Sequence, residues 1–182
     1  MKKQKKNTIP FFIAVVITAL LPLPLGMYLG NWNIPLWAAF VVWAEYFVYG
    51  SNPAAFKTIL PCFAAGALFS TLGMVFTSAL GTIMHPFIAL LIGFGVAVGI
   101  MVYVMDYVPA FQKGSLAYFN GMAVMLAVYF TGSFPHFEWA TPVLASIIAG
   151  AWSIVVGWLG SVFGWFNVTI TFPHEVEVQP DV

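Results

Sequence analysis

Six apolar runs, each closed by a short cluster of turn-forming residues, constrain this chain more than any other feature. They cover roughly residues 9–30, 34–50, 57–80, 86–106, 115–131 and 140–165. A helix that crosses a bilayer needs about 20 predominantly apolar residues, and the runs meet or approach that length. Between them stand GNWN, GSNP, LGTIMHP, YVPAFQKG and TGSFPHFE. Their Gly, Pro, Asn and Ser residues stop helices and make turns. With 62% hydrophobic and 7% charged residues, against about a quarter charged in soluble domains, the chain cannot solvate itself in water. The expected fold class is all-α: an integral membrane bundle of six transmembrane helices.

The few charges orient the bundle. All six basic residues are lysines, and Lys2, Lys3, Lys5 and Lys6 crowd the N-terminus. Loops rich in lysine stay in the cytoplasm. Six crossings then place Lys57 and Lys113 in inner loops and both ends inside; five or seven would send the acidic tail outside. The expected organisation is a basic cytoplasmic N-terminus over 1–8, a six-span domain over 9–166 and a polar cytoplasmic tail over 167–182. The N-terminal run also has the form of a signal peptide; the further spans favour an uncleaved first helix. In the tail, Val168, Ile170 and Phe172 alternate with polar residues in a strand-like pattern. Beyond Pro173 it is polar and expected to be loosely ordered. Asn167-Val168-Thr169 is a glycosylation sequon, unmodified at an inner-facing or bacterial site.

A short repeat links the middle spans. Pro53-Ala54-Ala55-Phe56-Lys57 begins the third run, and Pro109-Ala110-Phe111-Gln112-Lys113 begins the fifth. Leu60 matches Leu116, and Phe63 matches Phe119. Two parallel hairpins, one a copy of the other, would explain this; so would the shared apolar composition. The first copy holds Asn52-Pro53-Ala54, a triplet that water channels carry at mid-pore. The second has Val108-Pro109-Ala110, and the chain has no arginine. Asn52 and Pro53 are therefore read as a helix cap and first turn, and Pro109 as the matching turn.

The run from Trp37-Ala38-Ala39-Phe40 through Tyr46-Phe47 to Lys57 and Gly66 resembles the YcdZ-like family of small bacterial inner-membrane proteins of unknown function. Tyr107-Val108-Pro109 through Gly114 to Phe119, and the small-residue span from Leu144 to Gly160, are similar to later blocks of that family. The chain departs from the pattern at Glu45 and Ala110, and beyond Trp165. The resemblance implies a location in the bacterial inner membrane and supplies no substrate or catalytic residues.

Glu45 is the most informative residue. A charged acid deep in a span costs about 2.5–3.5 kcal/mol on insertion scales, so a partner, a watery cavity or protonation must offset it. Asn120 lies at comparable depth in the fifth run, and Pro61 and Cys62 lie near that depth in the third. Together they are expected to form a polar pocket opening inward, suited to a small polar solute. The plainer alternative is an interhelical hydrogen bond.

Small residues recur along the last span, including Ala149, Ser153, Gly157, Gly160 and Gly164. Such a face serves internal helix packing or oligomer formation. Asp106 and Lys113 read as an exposed inner-surface pair. His85, His136 and Glu138 fall in outer loops without ligand spacing, so no metal and no cofactor is expected. Nothing resembles a nucleophile motif or a phosphate-cradling loop, so no enzyme is expected. The expected partners are the bilayer, a small solute and, for an oligomer, a second copy; nucleic acid is excluded for want of a basic surface. The leading expectation is a small-solute channel or transporter; the alternative is a non-transporting assembly subunit.

Overall fold

The computed structural model describes residues 2–29 and 32–178. The described chain is almost wholly helical, with one two-stranded ribbon. Proline sets most helix starts, because its missing N–H is no loss in a first turn and its φ is already helical. Pro10 precedes α1 (Phe11–Leu20), and Pro22 interrupts the run before α2 (Leu23–Tyr28). Pro35 precedes α3 (Leu36–Val48). The side chain of Asn52 accepts from the Ala54 amide at 2.8 Å, capping a 3-10 turn, Pro53–Ala55, that runs into α4 (Phe56–Leu80). Pro86 opens α5 (Pro86–Tyr107), capped by His85, and Pro109 opens the short α6 (Pro109–Lys113). α7 spans Ser115–Phe130, and α8 spans Pro142–Ile170 behind a Thr141 cap.

Four segments are long and apolar enough to cross a membrane: Phe11–Tyr28, Pro53–Leu80, Pro86–Tyr107 and Pro142–Ile170. α3 and α7 are apolar but shorter, at 13 and 16 residues. At 1.5 Å per residue they reach roughly 20–24 Å, less than the ~30 Å of a hydrocarbon core. By length alone, then, four crossings are supported where six were expected.

α4 is the centre of the bundle and packs against α5, α7 and α8; α3 packs against α8 and α7, and α1 against α8. Small residues set these approaches. A Cβ at Gly66 would strike the Tyr118 carbonyl, and one at Gly121 would strike the Phe63 carbonyl, so α4 and α7 close on each other reciprocally. The crossing is one residue out of step with the sequence repeat, which lays Phe63 on Phe119. The small-residue face of α8 is used inside the protomer. Gly157 lies against the Phe63 ring, Gly160 against the Ala39 carbonyl and Gly164 against Tyr46, while Ala149 and Ser153 are fully buried.

The termini depart from expectation. α8 runs on to Ile170, so the alternation at Val168–Phe172 is not a strand. Helical spacing there turns Val168 and Thr171 toward the protein and lets Asn167 sit buried within the helix, where its amide donates to Thr18. That position also closes the sequon to modification. The chain reverses at Phe172, and Pro173–Val178 forms β2, antiparallel to β1 (Lys2–Asn7). The tail beyond Pro173 is thus paired to Val178; residues 179–182 lie outside the described residues. In register, Lys3 stands opposite Glu177 and Lys5 opposite Glu175. The pairing puts both strands at one end of the bundle. If the helices cross a bilayer, this pairing requires an even number of crossings between the strands.

Candidate functional site

Glu45 lies in the last turn of α3, on the side facing α7. Its side chain is 1% exposed. The amide of Asn120, in the second turn of α7, donates to its Oε1 at 2.7 Å. Its Oε2 is buried with no hydrogen-bond partner. A buried acceptor left without a donor costs about 1–3 kcal/mol, more when charged. The site is therefore half-satisfied, and its free oxygen can take one more donor: a proton, an ammonium or hydroxyl group, or a water molecule.

Three further groups close around this end of α3. One helical turn beyond Glu45, the hydroxyl of Tyr49 accepts from the Ala117 amide at 3.3 Å. Cys62 on α4 is buried and donates to the Ala110 carbonyl at 3.4 Å, where Gly114 leaves room for its sulfur. Pro61 stands inside α4, and the neighbouring Leu60 carbonyl accepts from the Trp158 indole at 3.2 Å. Tyr49 stands four residues after Glu45, and that spacing puts it on the same helical face in the sequence as in the structure.

Neither Glu45 nor Asn120 is among the residues that line four depressions on the described surface. The acid is sealed between α3 and α7 in this conformation. Asn52 and Pro53 sit in the turn that leads into α4, and Pro109 opens α6.

The remaining candidates do not converge. His85 accepts from the Phe87 amide as a helix cap, and the His136 ring stacks on Phe134 with centroids 4.5 Å apart. Glu138, Asp106 and Lys113 are exposed; the Asp106 backbone carbonyl accepts from the side chain of Gln112. Among the described residues no three His, Cys, Asp or Glu side chains group closely enough to hold a metal ion.

The model of the family described as "Protein of unknown function (DUF1097)" matches residues 12–170, and the chain belongs to that family. The match spans every helix from α1 to α8 and stops short of the ribbon. No curated protein and no solved structure matches the chain significantly.

Proposed function

We propose that this DUF1097 protein passes a small polar solute across a membrane, as a channel or carrier, with Glu45 and Asn120 on the path. The reading includes a bacterial inner membrane, six crossings with α3 and α7 as short inner spans, and both termini in the cytoplasm, in keeping with the YcdZ-like resemblance. One observation carries it: a buried carboxyl group in an apolar helical bundle, with one oxygen held by an amide and the other without a hydrogen-bond partner. An acid kept only for packing would have both oxygens satisfied, because a half-satisfied buried polar pair is worse than an apolar one. A free acceptor in an apolar bundle fits a group that exchanges a proton or a donor-bearing solute.

The test is flux into proteoliposomes after an osmotic jump, for water, urea, glycerol and small organic acids, with and without a pH gradient. Selective permeation of one solute is expected, with its pH dependence abolished in Glu45→Gln. Empty-liposome rates for every solute, or an unchanged pH profile in the variant, would remove this reading.

A second reading, an assembly subunit, is favoured by α5 rather than α8. The α8 small-residue face is occupied within the protomer, whereas Gly95 and Gly99 on α5 have no atom of the protein within 4 Å of a built Cβ. If α5 joins copies, Gly95→Leu dissociates the oligomer in light scattering and leaves the monomer folded; an oligomer that survives excludes this face.

A further inference from the structure

The end of the bundle that carries both termini holds a second polar feature, separate from Glu45. Here the β1–β2 ribbon, the last turn of α8 and the Gly50–Pro53 turn enclose an open depression of about 750 Å³. A smaller one of about 320 Å³ adjoins it through Ser51, Val168 and Pro173. Three residues in these walls have backbone conformations that side chains avoid: Gly50 at φ 99°, Ser51 at φ 53° and Phe172 at φ 46°. For non-glycine residues such angles cost about 1–3 kcal/mol and tend to persist where function requires them.

The polar groups of the wall are donors. Tyr46 belongs to it, is fully buried, and has a hydroxyl with no hydrogen-bond partner. The Ser51 hydroxyl has no hydrogen-bond partner among the described residues. The Thr8 hydroxyl donates to the Phe172 carbonyl at 3.1 Å and lies 3.3 Å from Nδ1 of His174. A hydroxyl has one proton to give. Nδ1 must therefore be the donor to Thr8, and Nε2, an acceptor in the neutral ring, gives a proton to an anion only as the imidazolium. Lys6 stands directly opposite His174 in the ladder, which puts both on one face of the ribbon. Asn52 is already spent on the Gly50 carbonyl and the Ala54 amide. Among the described residues no carboxylate lines either depression.

Hydroxyl donors beside a cation describe an anion site. The other walls are apolar: Trp165, 43% exposed, with Val168 and Phe172. Trp is enriched at membrane–water interfaces. We propose that this depression binds the phosphodiester headgroup of an anionic lipid, with Ser51, His174 and Lys6 on the phosphate and Trp165 against the glycerol and first methylenes. The inference is independent of any transport by Glu45.

Purified protein in detergent is titrated with dihexanoyl phosphatidylglycerol, with dihexanoyl phosphatidylcholine and with glycerol 1-phosphate, by isothermal calorimetry. The glycerolipid is expected to bind at least about tenfold tighter than the other two. Ser51→Gly is the decisive variant. Glycine is at ease at φ 53°, so the fold loses nothing and the thermal midpoint holds or rises. The hydroxyl is gone, and affinity for the anionic lipid should fall about tenfold, the loss of one hydrogen bond to a charged group. His174→Gln should weaken it similarly, and Lys6→Gln should flatten its salt dependence. Equal binding of the two lipids, or unchanged affinity in Ser51→Gly and His174→Gln, overturns the proposal. Glycerol 1-phosphate binding as tightly as the lipid overturns the lipid assignment in favour of a soluble phosphate ester.

Discussion

α3 and α5 hold equivalent places in the sequence and unlike places in the bundle. Each leads into a Pro-Ala helix start, and the register that lays Pro53 on Pro109 lays Ala39 on Gly95 and Glu45 on Met101. α3 is short and buried along most of its length: Ala38, Ala39, Val42, Glu45 and Tyr46 are all within the protein. α5 is nine residues longer and touches the core along one stripe only, Ala89, Gly93, Ala97 and Met101. α8 covers α3 through Gly160, whereas the matching Gly95 on α5 faces open space. The buried helix carries the acid and the peripheral helix carries a methionine. Met101 is as buried as Glu45, but the donor beside it, the Tyr118 hydroxyl, goes to its backbone carbonyl at 3.1 Å, whereas the carboxyl group between α3 and α7 has Asn120. A helix that must span the bilayer at the edge needs full length, and one packed inside does not.

Three substitutions would break or sharpen this contrast. The largest effect is expected for Gly160→Leu. A side chain there strikes the Ala39 backbone, which cannot move aside as a flexible side chain can, so α3 must leave α8. The cost should reach or exceed about 3 kcal/mol, the upper part of the usual overpacking range, and show as loss of a monodisperse peak on size exclusion. A well-folded variant would mean that α3 is not held by α8. Next comes Asn120→Ala, which leaves both Glu45 oxygens without a donor. A loss of about 1–3 kcal/mol is expected in denaturant unfolding, largely recovered in the double variant Glu45→Leu/Asn120→Ala, which removes the orphaned group as well. Without that recovery, Glu45 has another partner. The smallest effect is expected for Gly95→Leu, within about 0.5 kcal/mol of the parent in the monomer, the usual range for positions with no packing role. A large loss would show that α5 is covered by something from outside the protomer.

Much of this arrangement could be read from the residues. Pro and Gly positions marked nearly every helix start, because their effects are local. The depth of Glu45 and Asn120 followed from counting 1.5 Å per residue along two runs, and the structure brings the two side chains within hydrogen-bond distance. The face each helix shows its neighbours was not legible. In a membrane bundle the outside is as apolar as the inside, so the periodicity that betrays a core in water is absent. Two small-residue stripes therefore looked alike, and only packing separates α8, whose glycines meet Phe63, Ala39 and Tyr46, from the bare Gly95 and Gly99. The tail misled for another reason. Val168, Ile170 and Phe172 have the residue types of a strand, but α8 continues through the first two because Asn167 finds a partner inside the bundle. The ribbon pairs residues more than 160 positions apart, and nothing local announces such a partner.

That ribbon also carries a consequence for synthesis. β1 leaves the ribosome before all eight helices, and β2 after them. Through the whole of that interval the earlier strand presents unpaired backbone donors and acceptors, the condition that invites wrong pairing. Its lysine-rich sequence suits that wait, because like-charged segments repel copies of themselves and resist edge-to-edge association. The partner that finally arrives brings Glu175 and Glu177 to the positions opposite Lys5 and Lys3, so the strand that stays soluble alone is met by the charge that ends its solitude.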